Sequence, residues 1–125
     1  MYKHIGCDRA MWPSNWVPIE SESPALLAQC RGLRGQAWAY STSHSQMLVR
    51  FYCSGSMAGI YLYCKSCDVV QFQSYWEDAD VSVRISQGRF GPLYTITDGD
   101  RLRIECGAAS MAESLELIRL EEPSI

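Results

Sequence analysis

The sequence predicts a single, mainly β domain: an antiparallel β-sandwich or barrel of about six to eight short strands, with an irregular N-terminal arm and at most one or two short helices. Three observations lead there. The chain has 125 residues, one domain's worth and too few for two independent cores. Its hydrophobic content is 47%, above what a disordered chain carries, so a packed core is expected. From Gln36 onward apolar and polar residues alternate with a period of two, interrupted by closely spaced turn signals. On this reading the domain spans 1–125, with the arm at 1–24 and the β core at 36–120.

Residues 1–24 show neither helical nor strand periodicity and carry Pro13, Pro18 and Pro24 around Trp12 and Trp16. Proline fixes φ and removes a backbone donor, so an extended surface arm is expected. Ser23 before Pro24 reads as an N-cap with proline at the first helical position. One or two helical turns over Ala25, Leu26, Leu27, Ala28 and Cys30 would then stop at Gly32 and Gly35, with a short strand as the alternative.

The first hairpin is the best-marked element. Met47, Val49, Phe51 and Cys53 alternate with Leu48, Arg50 and Tyr52, and Ile60, Leu62 and Cys64 alternate with Tyr61, Tyr63 and Lys65. Antiparallel pairing with Phe51 opposite Leu62 sets Cys53 against Ile60, Val49 against Cys64 and Tyr52 against Tyr61. All the apolar residues then share one face, which a one-residue slip would destroy. Further strands are expected at Val69–Ser74, at Asp80–Ser86 with Val81, Val83 and Ile85 inward, and at Leu93–Thr97. Another, Arg101–Cys106, turns Leu102, Ile104 and Cys106 inward. A two-residue Asp98-Gly99 turn would oppose Ile96 to Arg101, so a three-residue Asp98-Gly99-Asp100 loop, pairing Ile96 with Leu102 and Tyr94 with Ile104, is preferred. Ser110 and Glu113 have capping-box spacing before a helical face of Met111, Leu115 and Ile118. A final strand at Leu115–Leu120 is the favoured alternative.

Composition narrows the function. Eleven Lys and Arg against fourteen Asp and Glu leave a net charge of −3, without the basic excess of a phosphate-gripping protein, so no nucleic-acid partner is expected. The N-terminus has no apolar run of signal-peptide length, and no stretch approaches the roughly twenty residues of a spanning helix. A cytoplasmic protein without a membrane partner is expected, with its six cysteines reduced.

Cys64-Lys65-Ser66-Cys67 is the motif closest to a metal or redox site. His4 and Cys7 have a matching spacing, so a zinc set of Cys64, Cys67, His4 and Cys7 can be drawn, but no second CxxC supports it. Cys64 ends a strand instead of opening a helix, which argues against thioredoxin-like chemistry. Small buried thiols are the plainer account. His44 sits among serines in a polar loop without a nucleophile motif, although a Cys-His pair needs adjacency only in the fold. Glu77, Asp78 and Asp80, and Asp98 with Asp100, lack calcium-loop spacing and read as turn-forming, solvating residues.

The opposite face of the hairpin carries Arg50, Tyr52, Tyr61, Tyr63 and Lys65. Tyrosine and arginine bury much area while keeping a polar tip, as binding hot spots do. Trp12 and Trp16 are the natural residues to cover that face if it is not exposed. The expected function is non-catalytic binding of another protein, or of a second copy, by a Tyr/Arg sheet face or a sheet edge, in the manner of an inhibitor or immunity protein, without a cofactor. A small-molecule-binding barrel and a Cys/His metal or thiol enzyme centred on Cys64 and Cys67 are the alternatives.

Overall fold

A computed structural model describes residues 12–118. His4 and Cys7, the first part of the expected arm and the end of the expected β core lie outside the described residues. The elements are β1 (Val17–Pro18), α1 (Ala25–Gln29), β2 (Arg34–Ser41), β3 (Gln46–Tyr52), β4 (Gly59–Phe72), β5 (Tyr75–Trp76), β6 (Ser82–Gly88), β7 (Gly91–Asp98) and β8 (Leu102–Ser114). They form one antiparallel sheet in the order β5-β2-β3-β4-β8-β7-β6, with β1 paired to β8. The expected mainly β, antiparallel architecture with one short helix is the one found.

Two apolar clusters hold the sheet, one on each face. The larger gathers Met47, Val49 and Phe51 of β3, Ile60, Leu62 and Cys64 of β4, and inward residues of β5 to β8, closed by Ile19 and by Leu27 of α1. The smaller joins Ala39, Leu48, Tyr61 and Ile118, with Trp12, Trp16, Trp38 and Tyr63 packed against it. Because both faces are covered in the middle, Met47 to Phe51 are all buried, Leu48 and Arg50 included.

The inward rows are as expected, but both hairpin registers differ from the expected ones by two residues. Phe51 opposes Ile60, Val49 opposes Leu62 and Met47 opposes Cys64, which leaves Cys53 outside the strand. A two-residue shift keeps every side chain on its face, so alternation alone cannot detect it. The physical cause lies in the loop. Arg50 Nη2 donates to the carbonyls of Ser56 (2.8 Å) and Met57 (3.4 Å), folding the loop back over the strand.

In the second hairpin the loop is Gly99-Asp100-Arg101, with Asp98 opposite Leu102, Ile96 opposite Ile104 and Tyr94 opposite Cys106. Its length is as expected and its position is one residue later. Asp98 is the reason. Its carboxylate accepts from Trp76 Nε1 (2.8 Å), from the Asp80 N–H (2.9 Å) and from Arg101 (2.6 Å), and it is only 2% exposed. Asp98 is therefore a buried acceptor, not a solvating turn residue.

Other boundaries change as well. Pro24, not Ser23, occupies the N-cap position of α1, and no side chain caps that end. Gly32, at φ +84°, ends the helix as expected, whereas Gly35 lies within β2 with the Trp76 ring against it. The segment expected as a separate Val69–Ser74 strand is the second half of β4. Ser110 to Ser114 extend β8 instead of starting a helix, and residues 115–118 form no strand. β2 opens close to the expected start of the β core at Gln36, but the alternation expected from there does not hold along it, because the β2–β3 register shifts between Ala37 and Ala39. A bulge there breaks the period of two that would have marked the strand.

Candidate functional site

Of the five residues expected on a binding face, the structure brings four together around the second cluster and covers two of them. Arg50 lies opposite Tyr61, in place of the expected Tyr52, and these two are 4% and 0% exposed. The Tyr61 hydroxyl accepts from the Ile118 N–H at 3.1 Å, and Trp38 Nε1 donates to the Ile118 carbonyl at 2.8 Å. Burial pushes the Tyr61 hydroxyl pKa up from its ordinary value. The Arg50 guanidinium lies over the Tyr52 ring at 3.9 Å and faces Trp38 at 5.5 Å, so its charge is met by π faces and carbonyls. Trp12 and Trp16 pack on Tyr63 at 5.1 and 5.6 Å, the covering that the arm's sequence suggested. Tyr52 and Tyr63 remain half-buried and Lys65 is exposed, its ammonium 5.9 Å from the Tyr63 ring. Most of this face is a small second core, and the surface it offers is a fringe of Tyr52, Tyr63 and Lys65.

Cysteine chemistry converges at a different place. Cys64 and Cys67 both pack on the main core, and Cys106 of β8 joins them. Two inward residues three apart cannot share a face of a regular strand. Ser66 resolves this with φ +55°, and the β4–β8 register then shifts between Cys67 and Val69. Cys67 pairs directly with Cys106 across the ladder. The Cys67 pKa is pushed up by the neighbouring Cys106 thiol and by burial, and that of Cys106 by the neighbouring Cys64 thiol and by burial. Cys30 is pushed up to about 12 by burial. A protonated thiol is a slow nucleophile. No group of His, Cys, Asp and Glu among the described residues has the arrangement to hold a metal ion. The described cysteines, Cys30, Cys53, Cys64, Cys67 and Cys106, are all free thiols. Sequence reasoning noticed the CxxC and missed Cys106 as its neighbour. Both Cys64 and Cys106 stood in inward rows, but the pairing of β4 with β8 was not derivable from either row.

His44 is exposed, and its Nδ1 lies 3.2 Å from Ser41 Oγ and 3.1 Å from Ser43 Oγ. These are contacts within one tight turn, as a polar loop predicts. Glu77 accepts from Arg34 at 3.0 Å and from the Tyr75 hydroxyl at 3.2 Å, and Asp80 pairs with Arg31 at 3.5 Å. These carboxylates pair with cations at the surface and do not converge with a second acid.

The sheet ends at the two-residue β5 on one side and at β6 on the other, and among the described residues β6 is laddered only to β7. The Ile85 N–H points away from β7 and donates to the Glu22 carboxylate at 2.8 Å. Alternation along a strand gives the N–H groups of Val83 and Gln87 the same outward direction. A groove of about 470 Å³ runs beside this edge between α1 and β6, with Glu22, Arg31, Asp80 and Arg84 in its walls. Phe90, in the turn that follows β6, is 96% exposed. Comparison with protein-family models, curated proteins and solved structures finds no match to this chain.

Proposed function

We propose that the protein is a non-catalytic protein-binding module, of the inhibitor or immunity type, that takes an extended segment of its partner onto the β6 edge. The observation that carries this reading is the Ile85 N–H, which bonds a side-chain carboxylate where a neighbouring strand's carbonyl would otherwise sit. An edge with outward donors is a template for strand addition, in which main-chain bonds supply affinity and flanking pockets supply selectivity. The groove beside α1 offers room for alternate side chains, and exposed Phe90 is an aromatic anchor at the end of the same strand. The edge is favoured over the tyrosine face because Arg50 and Tyr61 are covered.

The test contrasts two prolines. Gln87 is exposed, and its N–H faces outward, so Gln87→Pro removes an edge donor while sparing the β6–β7 ladder. Ser86 points its N–H at β7, so Ser86→Pro breaks the ladder. A photo-crosslinking residue at exposed Arg84 captures the partner, whose affinity is then measured with each purified variant. Gln87→Pro and Phe90→Ala should weaken the complex while leaving the melting temperature near wild type. Ser86→Pro should lower the melting temperature. A partner bound equally well by Gln87→Pro, or crosslinked from Lys65 and not from Arg84, would return the interface to the tyrosine fringe.

A further inference from the structure

The proposed function makes no use of the Cys64, Cys67 and Cys106 cluster, the densest group of reactive side chains among the described residues. Three features set it apart from ordinary buried cysteines. Cys67 and Cys106 are direct partners in the β4–β8 ladder, a placement that brings Cα atoms within the span a disulfide bridges. Both side chains pack against the same main core, so the two sulfurs lie on one face of the sheet. The three members also differ in access: Cys64 and Cys106 are fully buried, while Cys67 keeps part of its surface open. One sulfur can therefore meet a reagent from solvent while the second waits behind it.

We infer that Cys67 and Cys106 form an oxidisable dithiol, in which a hydroperoxide converts the resting thiols to a disulfide joining β4 to β8. The Cys67 thiol gives up its proton as its sulfur attacks the peroxide oxygen, the O–O bond breaks, and the departing oxygen takes up that proton, leaving as water when the oxidant is hydrogen peroxide and Cys67 as a sulfenic acid. The Cys106 sulfur then attacks the Cys67 sulfur. The new S–S bond forms as the S–O bond breaks, and the Cys106 proton leaves with the hydroxyl as a second water. Two electrons pass from the thiols to the peroxide, and a dithiol reductant reverses the change by exchange. Cys64 packs in the same cluster as Cys106, so it is the thiol to which the bond migrates on exchange. Both thiols are protonated at neutral pH, which makes the reaction slow and guards it against trace oxidant.

The test uses the full chain carrying Cys7→Ser and Cys53→Ser, which removes the exposed Cys53 and the cysteine outside the described residues. Treatment with hydrogen peroxide should remove two hydrogens from the intact mass, and peptide mapping should place the link between Cys67 and Cys106. The oxidised protein should melt at a higher temperature than the reduced one, and dithiothreitol should restore both the mass and the melting temperature. With Cys106→Ala added, a trappable sulfenic acid should accumulate on Cys67, and with Cys67→Ala the link should not form. If Cys106→Ala does not fold, the mapping of the unsubstituted pair decides alone. Oxidation to sulfinic acid without a link, a link that excludes Cys67, or no change of mass overturns the proposal.

Discussion

Asp98 shows what one side chain decides. It is 2% exposed and holds together three elements: Trp76 of β5, the Asp80 backbone and Arg101 of the following loop. Leaving a buried donor or cation without its acceptor costs more than the bond contributes. Asp98→Asn, which loses the charge and turns an amide toward one of those donors, should destabilise the protein by about 3 kcal/mol in urea unfolding. Arg31→Gln breaks an ion pair whose side chains are 74% and 70% exposed, and should change stability by less than about 1 kcal/mol. Tyr61 makes the same point for the second cluster. Tyr61→Phe, which deprives the Ile118 N–H of its acceptor, should cost about 1 kcal/mol, and Tyr61→Ala about 3–5 kcal/mol, in the same assay. An Ala variant that kept wild-type stability would return Tyr61 to the surface.

At the scale of elements, irregularities do more than regular pairing. The β2 bulge near Trp38 breaks the strand's alternation, which lets Ala37 and Tyr40 pack on the main core and Ala39 and Trp38 on the second. The left-handed Ser66 does the same for β4, placing Cys64 and Cys67 on one side. Both devices trade ladder regularity for the facing of particular side chains. The docking of β5 on β2 depends on a glycine, because a Cβ at Gly35 would run into the Trp76 ring. Gly35→Ala should therefore cost about 1–3 kcal/mol and alter Trp76 fluorescence, since the ring has buried neighbours on its other side. At Gly55, φ is +80° and nothing lies within 4 Å of an added Cβ, so Gly55→Ala should carry only backbone strain of about 1 kcal/mol.

The whole molecule is built on long-range pairing: β4 and β8, its longest strands, are partners although about thirty residues of chain and three other strands lie between them. Such topology pays loop-closure entropy before contacts form, so folding should take milliseconds to seconds in stopped-flow refolding, in the range of about 10⁰–10³ per second. Microsecond refolding would show that local hairpins already hold most of the stability. The sequence by itself determined the class, because period-two patterning from Met47 to Cys106 is that of strands and not of helices, and it determined which side chains share a face. It also marked the helix stop at Gly32 and the arm tryptophans as a cover. Alternation has a period of two, so it is blind to the two-residue shifts that the Arg50 and Asp98 hydrogen bonds impose. It is equally blind to which distant strands become neighbours, and so to the meeting of Cys64 and Cys67 with Cys106. Only the tertiary structure decided that Tyr61 and Arg50 are covered while β6, among the described residues, has β7 as its one ladder partner, since burial depends on what the rest of the chain lays over a face.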